Sequence, residues 1–266
     1  MANIFGHIRL MTPDVARARE FYGSVFNWDI EDVQVPGPGC EEGVDISCAM
    51  IDTGAVPSGQ MIEMAGPQWE GVPPHWMVQI VVDDLDRTVA RCVELGGVVR
   101  APRKDVPGVG AFAMLDDPQG AVFGIWQQLG ERGPDPAPRD PANAFSWAEL
   151  NTSDNDDASS FYGGLFESWT FEPWEMGEGF PPYVRLQTGE SICGGIIEIE
   201  EIAQGKFPAN WLTYINVADV ETAKEKIAAH GGMLIIDSTV IPGAGCFAVF
   251  MDPLGATFGV WGPVPA

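Results

Sequence analysis

The chain repeats itself. Phe5 to Phe26 aligns with Phe145 to Phe166 at an offset of 140, with nine of 22 positions identical. Trp76 to Trp126 aligns with Trp211 to Trp261 at an offset of 135, with 18 of 51 positions identical and no gap. Agreement in two separate blocks marks a tandem duplication. The change of offset makes the second copy five residues shorter in its middle. Any fold for this chain must therefore be one that a unit of about 130 residues can form twice. The copies span residues 1–128 and 145–266. Between them, residues 129–144 carry Pro134, Pro136, Pro138 and Pro141, which favour an extended spacer.

Within the first copy, Phe5–Leu10 alternates as a strand does. Pro13-Asp14 opens a helix whose apolar stripe is Val15, Ala18, Phe21, Tyr22 and Val25. Strands are predicted at Trp28–Val33, Ser47–Asp52 and Gln60–Met64. The pattern then restarts with a strand at Trp76–Val82, a helix at Asp84–Leu95 stopped by Gly96-Gly97, and three more strands up to Trp126. Each copy reads as β-α-β-β-β twice. That is an α+β domain whose few helices cover one face of a curved sheet.

Alternation assigns the other face. In the first copy it receives Phe5, His7 and Arg9 from the first strand, and Met77 and Gln79 from the strand after residue 75. The last strand adds Gly124 and Trp126. In the second copy the same reading gives Phe145, Trp147 and Glu149, then Leu212, Tyr214 and Asn216, and finally Gly259 and Trp261. Aromatic groups mixed with single polar ones suit a ligand cleft better than a dry core. The competing reading is that this face is covered by the other copy.

Formal net charge is −24, from 38 acidic and 14 basic residues. Such a surface repels phosphate backbones and anionic lipid, so neither nucleic acid nor membrane is expected as a partner. The five cysteines (Cys40, Cys48, Cys92, Cys193, Cys246) are odd in number and lack CxxC spacing. They read as reduced thiols in a cytoplasmic protein, a monomer or homodimer. Neither a leader pattern nor a run of about 18 apolar residues is visible.

The order of these motifs resembles the vicinal-oxygen-chelate superfamily of glyoxalases, bleomycin-resistance proteins and extradiol dioxygenases. The features are Asp14 before a helix ending Phe21-Tyr22, Gly96-Gly97 after the second helix, and Asp117-Pro118-Gln119-Gly120 before the last strand. All recur as Asp154, Phe161-Tyr162, Gly231-Gly232 and Asp252-Pro253-Leu254-Gly255. Among members, the chain looks most like the tandem-duplicated glyoxalase-like type labelled hydroxylase or antigen. The resemblance implies two tandem glyoxalase-like domains, each of paired βαβββ modules around a cleft. In metal-using members four strands supply the ligands. Here those positions fall on His7, Glu63, Met77 and Gly124, and on Trp147, Glu198, Leu212 and Gly259. Few of these residue types bind a divalent metal. No cofactor is therefore expected, the alternative being a divalent metal on His7, Glu63 and His75.

His7 is a candidate general base or a hydrogen-bonded wall residue. Glu149 is a candidate acid or base. Arg9 is its counterpart in the repeat and a candidate holder of an acidic or enol oxygen. The two are equally able to pair with each other across the copies. Trp126 and Trp261 offer flat surfaces to a planar ligand. The expected function is binding of a small, planar aromatic or polyketide-like molecule in a cleft with a degenerate metal site. The alternatives are a metal-dependent lyase or dioxygenase of the glyoxalase type, and a non-catalytic interaction protein.

Overall fold

The computed structural model describes residues 4–36, 45–53, 59–130, 142–189 and 191–265. Cys40 and most of the 129–144 spacer lie outside the described residues. The first module is β1 (Ile4–Thr12), α1 (Val15–Phe26), β2 (Asp29–Pro36), β3 (Asp45–Asp52) and β4 (Gly59–Glu63). The second is β5 (His75–Val81), α2 (Leu85–Glu94), β6 (Val98–Val106), β7 (Gly110–Asp116) and β8 (Val122–Gln128). The third is β9 (Phe145–Thr152), α3 (Asn155–Leu165), β10 (Trp169–Trp174), β11 (Tyr183–Thr188) and β12 (Ser191–Glu198). A short α4 (Glu200–Ala203), not predicted, follows it. The fourth is β13 (Asn210–Asn216), α5 (Val220–Ala229), β14 (Met233–Ile241), β15 (Gly245–Met251) and β16 (Thr257–Gly262).

Each pair of modules makes one eight-stranded mixed sheet, ordered β2-β3-β4-β1-β5-β8-β7-β6 and β10-β11-β12-β9-β13-β16-β15-β14. The opening strands of paired modules lie antiparallel at the centre, and each pairs in parallel with the last strand of a module on its other side. This is the α+β tandem architecture that the sequence pattern implies.

Four aspartates start the four long helices. The carboxylates of Asp14, Asp84, Asp154 and Asp219 each accept a hydrogen bond from the backbone N–H three residues on, at 2.9, 3.0, 2.9 and 2.7 Å. Each cap satisfies an otherwise unpaired helix donor and stabilises by about 1 kcal/mol. Pro13 therefore stands outside α1, not in its first turn, because Asp14 holds the cap.

The helix-covered faces do not each close a core of their own. One core joins Val78, Ile80, Leu85 and Phe123 of the first domain to Leu150, Phe161, Tyr162 and Trp211 of the second. The other joins Leu10, Phe21, Tyr22 and Trp76 to Ile215, Ile227, Phe250 and Phe258. Helices α1 and α5 touch, as do α2 and α3. The two domains thus bury their helix sides against each other, so it is not the cleft face that the other copy covers. The four described cysteines are buried and none of them forms a disulfide. Among the described residues no helix is long and apolar enough to cross a membrane.

One strand departs from strict alternation. The β1–β5 register runs from His7 opposite Gln79 directly to Phe5 opposite Ile80, skipping Gly6. A side chain at Gly6 would overlap Val81, so the first copy keeps a glycine at its bulge. The bulge turns Phe5 to the helix side, where its ring lies 5.3 Å from Trp169 and 5.4 Å from Trp211. The same skip at Ser146 turns Phe145 onto Trp28 and Trp76. Phe5 and Phe145 are therefore interdomain core and not cleft residues, contrary to the alternation reading.

Candidate functional site

On the first-domain sheet face turned away from the helices, His7 lies beside Gln79 and Arg9 beside Met77, and Gln79 lies beside Gly124. The register brings Gln60 next to Arg9 on the other side. Arg9 reaches over β5 and β8 and sets its guanidinium carbon 5.3 Å from the centre of the Phe112 ring. Phe112 is the cross-strand neighbour of Trp126, whose ring rests against Gly110. Neither Gln60 nor Phe112 was singled out from sequence. Carrying the alternation onto β4 and β7 would have found both.

This face carries unmatched donors. Arg9 Nε and Gln79 Nε2 are buried and have no hydrogen-bond partner. Among the described residues no carboxylate pairs with Arg9. Burial lowers its pKa to about 10, which leaves it a cation at neutral pH. Burial, and secondarily the Arg9 charge, pull His7 down to about 4. His7 is thus a neutral imidazole, with Nδ1 3.3 Å from the Gly6 carbonyl oxygen. A base this weak is mostly unprotonated at neutral pH but has little pull on a proton.

Three predicted metal-site residues are elsewhere. Glu63 lies beside Thr12, which faces the helix side, so its carboxylate points away from His7. Glu198 lies beside Thr152 in the same way. His75 pairs with Met11, four residues along β1 from His7, a separation of about 14 Å at strand rise. Its Nδ1 lies 2.8 Å from the Pro73 carbonyl oxygen. His7, Glu63 and His75 therefore do not form one cluster. Among the described residues no three His, Cys, Asp or Glu side chains come close enough to share an ion.

The second domain fills the equivalent face with its own side chains. Tyr214 Oη donates to Glu149 Oε1 at 2.9 Å and Tyr183 Oη donates to Oε2 at 3.0 Å. Trp147 Nε1 donates to Tyr183 Oη at 2.9 Å. A Cβ at Gly259 would overlap the Tyr214 ring, and one at Gly195 would overlap Tyr183. These glycines make room for the chain's own tyrosines. Burial raises the Glu149 pKa, and the two phenol donors oppose that. Glu149 therefore pairs with tyrosines and not with Arg9. Trp261 joins Trp147 and Tyr214 in this filling, and Met176 and Ile241 pack on it from outside. Asn216 stands at the strand end beside Trp261. At Gly124, by contrast, a Cβ would meet Gln79 Cγ at 3.4 Å, an ordinary contact.

A surface groove of about 1040 Å³ lies elsewhere, between α2 and α3. Both of its arginines are matched, in the pairs Arg87–Glu167 and Arg91–Glu94.

The sequence profile of the Glyoxalase/Bleomycin resistance protein/Dioxygenase superfamily matches residues 4–125. The Mycobacterium tuberculosis protein named "Putative glyoxylase CFP32" is 34% identical over 97% of this chain and 94% of its own length. The chain belongs to the glyoxalase/bleomycin resistance protein/dioxygenase superfamily. A second relative is the anthracycline biosynthesis protein DnrV of Streptomyces peucetius. It is 27% identical over 94% of this chain and 90% of its own length. The Mn(II)-bound glyoxalase of Novosphingobium aromaticivorans superposes with a TM-score of 0.61 at 14% identity, covering 100% of this chain and 84% of its own. The 2,3-dioxygenase LapB of Pseudomonas sp. KL28 gives 0.60 at 13% identity, covering 98% and 92%. The solved structures share the superfamily fold over both domains.

Proposed function

We propose that the first domain binds a small, planar, partly apolar molecule on the sheet face that His7, Arg9, Gln79 and Trp126 line, without a resident metal. The observation that carries this reading is the pair of buried donors, Arg9 Nε and Gln79 Nε2, left without partners on one face. An unmet buried donor costs about 1–3 kcal/mol, and a ligand acceptor recovers that cost. Phe112 and Trp126 supply flat apolar surface beside them. The relative named for anthracycline biosynthesis supports a polycyclic aromatic class of ligand.

The residues at the superfamily's metal positions do not fit a metal. Met77, Gly124, Leu212 and Gly259 offer no hard donor, and Glu63 and Glu198 face the wrong way. No step through a metal is derived. The test is Gly124→Leu, scored by thermal shift against a panel of two- and three-ring aromatic compounds. The variant, checked for a cooperative unfolding transition, loses the shifts that the unmodified protein gives. Equal shifts in both proteins, or none in either, would reject cleft binding.

A further inference from the structure

We infer that the first-domain cleft selects its ligand through an ionised ring oxygen, a phenolate or enolate, held by Arg9. This rests on the cleft-binding reading above and names the chemistry of its ligand.

The duplication supplies the argument, because each cleft shows what the other lacks. At the offsets of the repeat, Glu149 is the counterpart of Arg9, Tyr214 of Gln79, Tyr183 of Cys48 and Trp147 of His7. In the second domain two phenol hydroxyls converge on the first-strand carboxylate, at 2.9 and 3.0 Å. Three aromatic rings occupy the space in front of it. In the first domain the counterparts of these three residues are the smaller Gln79, Cys48 and His7, so less of the chain's own bulk is built in before Arg9 than before Glu149.

The sign of the first-strand charge is also reversed. A carboxylate takes neutral phenols as donors; a guanidinium takes oxygen acceptors, best of all an anion. Arg9 has a free buried Nε–H. The described titratable neighbours are His7 on its own strand, neutral at pH 7, and Cys48 on β3, whose thiol burial raises. Neither supplies the anion that would balance Arg9. Gln79 Nε2 adds a second unmet donor nearby. The acidic surface of the chain repels a free anion, but that field is screened beyond about 8 Å at physiological salt. Recognition is therefore a contact effect inside the cleft.

The probe pair is 7-hydroxycoumarin and its O-methyl ether, 7-methoxycoumarin, since absorption distinguishes the phenol from the phenolate. They are titrated with the full chain at a pH where the free hydroxycoumarin is mostly protonated. The expected result is a phenolate band on binding and at least tenfold tighter binding than the ether. Arg9→Gln removes the band and the preference, while Arg9→Lys keeps the band. Equal affinity for both compounds with no phenolate band overturns the inference. If Gly124→Leu still abolishes that binding, the cleft reading stands without it. If neither coumarin binds, the inference falls, and the wider aromatic panel then decides the cleft reading separately. Should Arg9→Gln fail to fold, the comparison of the two coumarins on the unmodified chain decides alone.

Discussion

The hydroxyl of Tyr22 donates to Oδ2 of Asp252 at 3.0 Å, across 230 residues of chain. The duplication makes the same bond in reverse: Tyr162 donates to Asp117 Oδ2 at 3.0 Å. Trp76 and Trp211 donate their indole N–H to the two tyrosine oxygens, at 2.9 and 3.0 Å. The other oxygen of each aspartate accepts backbone N–H groups of its own Asp-Pro-x-Gly turn. One motif therefore shapes a turn in one domain and anchors the helix of the other.

Tyr22→Phe strands both a buried carboxylate oxygen and the Trp76 N–H. It should lower stability by about 1–3 kcal/mol in urea unfolding. Because the bonds and both cores cross between domains, unfolding should be one transition, and residues 1–130 expressed alone should not fold cooperatively. Two resolved transitions, or a stable isolated half, would contradict this.

The two cleft glycines should respond differently to one added methyl. Gly259→Ala must displace the Tyr214 ring and should cost about 1–3 kcal/mol as overpacking. Gly124→Ala meets only an ordinary contact and should stay within about 0.5 kcal/mol. Tyrosine fluorescence and urea midpoints of both variants give the comparison.

His7 should destabilise the fold in acid. Its folded pKa is lowered to about 4 from 6.5, so the unfolded chain binds this proton first. The penalty is absent above pH 6.5, grows as pH falls towards 4, and is constant below. At pH 5 it amounts to about 2 kcal/mol at most. His7→Gln removes the proton difference. The variant should lose less stability than the unmodified protein between pH 7 and pH 5, as read from urea midpoints at each pH.

The purified protein should carry far less than one equivalent of Zn, Ni, Fe or Mn, and dialysis against a chelator should leave its melting temperature unchanged. The Met, Leu and Gly residues at the metal positions motivate this. Elemental analysis showing about one tightly held metal per chain would overturn it.

What the sequence determined is whatever depends on near neighbours along the chain. The offsets of 140 and 135 revealed the duplication. Helical spacing and capping aspartates located the long helices, and alternation put His7 and Arg9 on one face and Ile8 and Leu10 on the other. The bulge was not legible in the sequence, since one copy has Gly6 at the skipped position and the other has Ser146. The skipped residue becomes favourable because Phe5 then reaches Trp169 and Trp211. Only the tertiary structure decided that the helix faces bury each other, since both faces of either sheet carry apolar residues. It also decided that Tyr183 and Tyr214 close the second cleft around Glu149 while the first keeps unmet donors. Alternation names the residues of a face. Whether they fill it depends on side chains from strands far apart in sequence meeting over it.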